Sequence, residues 1–523
     1  MRQHAILLAL ALLSAPALTQ VEIAKLVAPT GAPYVFFGWE VAMSSGRVLV
    51  GAGRDDTLFN NAGSVHLMDS RTGQHLAKWY ASDAQDDARF GTYVALSPNY
   101  ALVGAYRDVN GGLTTGSCYL FDLATGQELH KLIASDADQH TYHHLGLGAS
   151  LTDELAVSGS AVEAAYVFDV ATGQEVAILT TPDVGPDDEF GRVVAISGHR
   201  VVVGAYEDDE LGTNTGSAFV FDALTGQELL KLQAADASEH DLFGAAVSID
   251  GDRILVGAWS YNTSTYQHPG PGAAYVFDAT TGQQLWKLTA DDGVVGDAFG
   301  REVALFGDRA LIAAASASNS VGAAYVFDVT TGQQLAKLTA SDGTLGDVYG
   351  TGVALDADHA VIGAGYDDPY GSSSGSAYLY GLDPVGTSYC GPSVPNSTGL
   401  SAGIVALGTD VTQDNDLSLT AVRLPLGQFG YFLGGPSQGF VQNPGGSQGN
   451  LCLAGSIGRH TAGIFSTGTS GTGQLQLDLT DLPFPGGGHA ITAGETWNWT
   501  TWFRDKNPTP TSNFTDGASI VFQ

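Results

Sequence analysis

Carboxylates are the residues of this chain best placed to do chemistry. Four loops of ten residues each, running to a glycine, open with Asp55-Asp56, Asp108, Asp208-Asp209 and Asp367-Asp368. A second set, Asp87, Asp188, Asp241, Asp297 and Asp347, lies a few residues ahead of an aromatic-Gly pair. Loop carboxylates of this kind can hold calcium, which takes six to eight oxygen ligands. They can equally cap turns and keep a protein soluble without any metal. Their spacing matches no EF-hand loop, and both readings stay open.

Other groups are sparser. His140, His143 and His144 stand close enough in sequence to ligate a transition metal, but no further ligand is near, and a solvated loop is the simpler expectation. There is no Gly-x-Ser-x-Gly elbow, no His-Glu-x-x-His and no phosphate-binding Gly-Lys-Ser/Thr. An enzyme reading is therefore left without a residue to carry it. Cys118 sits where sibling segments have Ala and reads as a small buried residue. Cys390 and Cys452 lie together in the last third of the chain and are candidates for a disulfide.

The elements that must position these groups come from an internal repeat. An aromatic or Leu followed by Gly recurs at Phe37, Phe90, Leu145, Phe190, Phe243, Phe299 and Tyr349, about 52 residues apart. Each copy continues with a strand, a tight turn and an apolar strand ending in Gly-Ala, as in Val201-Val202-Val203-Gly204-Ala205. A loop then leads to Gly216-Ser217-Ala218-Phe219-Val220-Phe221-Asp222 or its equivalent, and a Thr-Gly-Gln turn opens a last strand. Four short antiparallel strands repeated seven times predict an all-β, seven-bladed β-propeller. The seventh copy lacks its last strand, and Glu22-Ile23-Ala24-Lys25-Leu26 matches the missing one, so the N-terminal strand should close the ring. In a meander the tight turns fall on one face and the long acidic loops on the other, which makes that second face the expected ligand face.

The order Phe-Gly, Gly-Ala-x, Gly-x-Ala-Tyr-Val-Phe resembles the FG-GAP repeat, the blade unit of the integrin α-subunit head and of many bacterial secreted proteins. The resemblance covers residues 22 to 383 and implies extracellular binding or adhesion. Integrin-type blades often carry an Asp-x-Asp-x-Asp-Gly calcium cage in the first hairpin. Here those hairpins are as short as Ser197-Gly198-His199-Arg200, so the family's calcium sites are not carried over. Near the end, Tyr389 to Asn396, Gly449 to Leu453 and Thr511 to Gly517 resemble a C-terminal module of exported proteins from planctomycete-like bacteria.

Composition bounds the rest. Of 523 residues, 55 are acidic and 21 basic, a net charge of -34, which excludes a nucleic-acid binder. Arg2, the apolar run Ala5–Leu13 and Ala15-Pro16-Ala17 read as a signal peptide over 1–17 with cleavage near Ala17. No other apolar run reaches transmembrane length. The propeller is expected over 18–384 and a β-sandwich-like domain over 385–523. In the latter, Trp497, Trp499 and Phe503 share one strand face and suit a core better than a sugar-stacking row. The sequence thus predicts a secreted or surface-attached bacterial protein. It would bind an extracellular protein or polysaccharide through its acidic face, with calcium as a possible cofactor. A polysaccharide-acting enzyme and a structural matrix component are the alternatives. Paired acids in one deep pocket would favour the enzyme.

Overall fold

A computed structural model describes residues 20–139, 142–260, 270–468, 470–506 and 511–523. The expected signal peptide and His140 lie outside these residues. The repeat folds as expected, into seven antiparallel meanders of four strands. The first blade consists of Val41–Ser44, Arg47–Ala52, Ser64–Asp69 and His75–Trp79. The following blades repeat that order, and their innermost strands touch in succession until the last meets the first. Gln20–Leu26 pairs antiparallel with Ser376–Leu382 and supplies the outer strand of the seventh blade. The chain is a β-propeller closed by its own N-terminal strand.

The Phe-Gly and Gly-Ala motifs explain how one blade docks on the next. Phe90 donates its backbone N–H to the Ala62 carbonyl of the preceding blade at 2.9 Å and forms a parallel bridge with Gly63. Gly63 has φ +88°, and a Cβ there would lie 2.0 Å from the Phe90 carbonyl oxygen, so only glycine fits. The Gly-Ala glycine Gly51 meets the Gly91 carbonyl in the same way, at 2.0 Å from an added Cβ. The Phe90 ring then fills the gap between the two blades, edge-on to Tyr119 and Phe121. Full burial of such a ring contributes about 1.5–3 kcal/mol per interface.

After the seventh blade the chain forms two further sheets. A three-stranded sheet (Gly403–Gly408, Leu417–Val422, Gly473–Leu477) packs on a larger one built around Phe429–Gly435 and Thr496–Asp505. Trp497, Trp499 and Phe503 are buried between them, while Trp502 packs on Tyr431 outside. Cys390 and Cys452 are joined by a disulfide, and Cys118 is free and buried in the second blade. Val405, Leu407 and Val422 share a core with Ile23, Leu26 and Leu379, so this module sits against the closing strand of the ring.

Candidate functional site

Four of the candidate aspartates on the loop-rich face are turned into their blades. Asp55, Asp108, Asp208 and Asp367 are only 6, 0, 3 and 8 % exposed. Each pairs with the lysine of its own blade's outer strand: Lys78–Asp55 at 2.5 Å, Lys131–Asp108 at 2.7 Å, Lys231–Asp208 at 3.1 Å and Lys25–Asp367 at 2.6 Å. Ser64, Ser117 and Ser376 donate hydroxyls to three of them at 2.5–2.6 Å. Burial alone would raise the Asp55 pKa, but hydrogen bonds from Lys78, Ser64 and Thr57 bring it down to about 2. The expectation that these four face a ligand is therefore corrected. A buried carboxylate needs a partner; Asp55, Asp108 and Asp367 find both a lysine and a hydroxyl inside the blade, and Asp208 the lysine alone.

The lock recurs around the ring. Tyr119, Tyr275, Tyr325 and Tyr378 donate their hydroxyls to Asp83, Asp236, Asp292 and Asp342, and the blade lysine sits 5.2–5.4 Å over each tyrosine ring. Six of the chain's seven lysines are held in this way. The third blade lacks the lysine, and His143 takes its place against Asp136 and the Tyr166 hydroxyl.

The exposed partners Asp56, Asp209 and Asp368 accept the backbone N–H groups of Asn61, Asn214 and Ser373 and tie their own loops. Among the calcium candidates, Asp188, Asp241, Asp297 and Asp347 each accept a backbone N–H three residues upstream, and Asp87 pairs with Arg89 and Arg107 at 2.8 Å. Among the described residues no group of three or more His, Cys, Asp or Glu is placed to hold a metal ion.

The side chains that converge are others. On the loop-rich face the channel opens into two adjoining cavities of about 350 and 370 Å³ that share Tyr93, Leu147 and Arg192. Their walls come from two positions of the repeat. The two residues after each aromatic-Gly supply Trp39 and Glu40, Thr92 and Tyr93, Arg192, and Arg301 and Glu302. The residues just after Gly-Ala supply Arg54, Tyr106, Tyr206, Trp259 and Tyr366. Both positions sit where the strands turn in at the mouth, so their side chains are free to vary while the motif glycines are not.

Phe36, Trp39 and Tyr366 form an aromatic cluster with centroids 5.3–6.0 Å apart, and the Arg54 guanidinium lies 4.5 Å over Phe36. On the other side Arg301 lies 5.4 Å over Trp259. Arg192 pairs with Glu189, and Tyr106 meets His144 edge-on. Burial, reinforced by Arg107 and Arg192, holds the His144 pKa below its ordinary value. Deeper in the channel burial pushes the Glu302 pKa up to about 7 against the pull of Arg301. Burial and the Glu302 charge drive the Glu40 pKa well up. Such a cavity can stack flat groups on its rings, hold an anion on its guanidinium groups, and give or take protons at two carboxyls.

Sequence reasoning missed these residues because attention fell on what recurs. The available signal was the opposite: the positions after Phe-Gly and after Gly-Ala change from copy to copy and collect Trp, Tyr and Arg. Of the histidine cluster, His143 is locked into its blade and His144 reaches the mouth.

Comparison with known proteins agrees with the architecture. The FG-GAP repeat family model matches residues 21–68, 74–121, 174–221, 227–277, 283–327 and 333–380. The gap, 122–173, takes in the outer strand of the second blade and the first three strands of the third, where Leu145 replaces the aromatic. No curated protein matches the chain. Among solved structures, the computationally designed Ika8 protein aligns with a TM-score of 0.41 at 19% identity, covering 68% of this chain and 99% of its own. With its matched repeats spanning more than half of its length, the chain belongs to the FG-GAP repeat family.

Proposed function

We propose that the chain is an exported, non-enzymatic binding protein whose extracellular ligand seats in the channel mouth. The observation that carries this reading is the convergence of Trp39, Tyr106, Tyr206, Trp259 and Tyr366 with four arginines around one opening. Aromatic and Arg side chains are the usual carriers of binding energy. The aspartates, by contrast, are occupied within blades and loops, so the reading does without calcium. Export rests on the N-terminal sequence and on the family's frequent use outside cells. Among the described residues no helix is long and apolar enough to cross a membrane.

The test is to probe immobilised extracellular polysaccharides and matrix proteins with labelled chain. The variant Trp39→Ala/Tyr366→Ala is expected to lose capture, while Asp56→Ala/Asp209→Ala/Asp368→Ala keeps it. The reverse pattern rejects the mouth as the site.

One observation favours a second reading, glycoside hydrolysis. Glu40 and Glu302 line the same cavity, and a carboxyl that titrates near 7 suits a general acid. That reading requires release of reducing ends from a bound polysaccharide, lost in Glu302→Gln.

A further inference from the structure

Charge is distributed in this molecule in a way that composition hides. Over the whole chain acids outnumber bases 55 to 21. The walls of the two mouth cavities reverse the balance, with Arg54, Arg89, Arg192 and Arg301 against Glu40 and Glu302 alone. Six lysines are locked into blades, and of the four arginines at the mouth Arg89 and Arg192 pair with Asp87 and Glu189. Arg54 and Arg301 make no ion pair within 4 Å among the described residues; each instead lies over an aromatic ring. A guanidinium held by its face keeps its N–H edge for a planar anion, which it can grip with two hydrogen bonds.

We infer that the mouth is a receptor for an acidic saccharide, an oligosaccharide whose rings bear carboxylates or sulfates, gripped by Arg54 in one cavity and by Arg301 in the adjoining one and packed on the aromatic walls. This rests on the mouth being the binding site. Two features favour a sugar over an acidic peptide. Trp39 and Tyr366 line the cavity beside Phe36, and such rings suit the C–H face of a pyranose and have no counterpart in an Asp or Glu side chain. The hydroxyls of Tyr93, Tyr106, Tyr206 and Tyr366 offer both donors and acceptors, which suits a ring carrying several OH groups. Each cavity has the size of a small-ligand site. The two carboxyls do not oppose the anion below neutral pH, because burial keeps Glu302 protonated up to about 7 and Glu40 well above its ordinary range.

The experiment is calorimetric titration of the full chain with galacturonate oligomers, sulfated dextran, neutral dextran and poly-glutamate. It is repeated for Arg54→Gln, Arg301→Gln and Trp39→Ala/Tyr366→Ala. Arg54 is exposed, so its variant keeps the fold even where another does not. Binding of one or both charged sugars, weakened about tenfold or more by either Arg substitution, supports the proposal, and the two charged probes tell carboxylate from sulfate. Equal binding of neutral dextran overturns the anionic class while leaving the mouth as the site. Tighter binding of poly-glutamate replaces the saccharide with an acidic peptide. Sugar binding that none of the three variants weakens overturns the mouth itself. No binding of any probe, in a chain whose capture on the matrix panel still depends on Trp39 and Tyr366, overturns the ligand class alone.

Discussion

Asp55→Asn isolates the role assigned to the acidic loops. The carboxyl is 6 % exposed and accepts hydrogen bonds from Ser64 at 2.6 Å and Thr57, with the Lys78 ammonium at 2.5 Å. These partners outweigh burial and take its pKa from 3.8 to about 2. A folded-state pKa below the unfolded one stabilises above the unfolded value and stops doing so as pH falls through the folded one. The fall contributes about 2 kcal/mol at pH 7, about half of that at pH 3, and almost none near pH 1. At roughly 1 °C per kcal/mol in a chain this long, the substitution should lower the thermal midpoint by about 2 °C at pH 7. The gap to wild type should narrow by about half at pH 3. Lys78→Met should give a similar loss, and the double variant should lose less than the sum, because the two act as one pair. Circular dichroism melts at both pH values measure this. A variant with an unchanged midpoint at pH 7 would refute the lock and return Asp55 to the ligand face.

The remaining predictions concern other parts of the molecule. Glu302→Gln should stabilise the fold by up to about 3 kcal/mol at pH 8 and leave it unchanged at pH 4, because a carboxyl raised from 4.5 to about 7 by burial penalises the fold only once ionised; paired melts check the sign. Gly63→Ala places a Cβ 2.0 Å from the Phe90 carbonyl at φ +88°, so the variant should appear in the insoluble fraction on expression, while Gly251→Ala, with nothing within 4 Å, should stay soluble. Cys452→Ser opens a cross-link between residues 62 apart, which should destabilise the C-terminal module by about 4 kcal/mol and split its calorimetric transition from that of the propeller. Calcium and chelator should leave the wild-type melting midpoint in place; a rise with calcium concentration would mean a cation bound by the folded state.

Much of the fold was legible because the repeat writes backbone requirements directly into sequence. Gly63 and Gly51 have no alternative at their contacts, and Phe90 fills a gap that recurs between blades. The closing strand was legible because Lys25 and Leu26 stand where Lys337 and Leu338 stand in the sixth blade. The fate of the aspartates was not. Lys78 lies 23 residues beyond Asp55, and Lys25 lies 342 residues before Asp367, so a loop read alone looks like free carboxylate. The mouth was illegible for a related reason. Arg54, Tyr93, Arg192 and Arg301 come from four blades and meet only when the ring is closed.

The most direct test of the account is deuterium exchange of the wild-type chain with and without a saturating ligand, galacturonate oligomer in the first instance or any matrix component that captures the chain. The account predicts protection at residues 36–40, 92–93, 144–147, 192–193 and 301–302, with the loops 56–62, 109–115, 209–215 and 368–374 unchanged. Protection confined to those acidic loops, with the mouth segments exchanging as in the free chain, would contradict it.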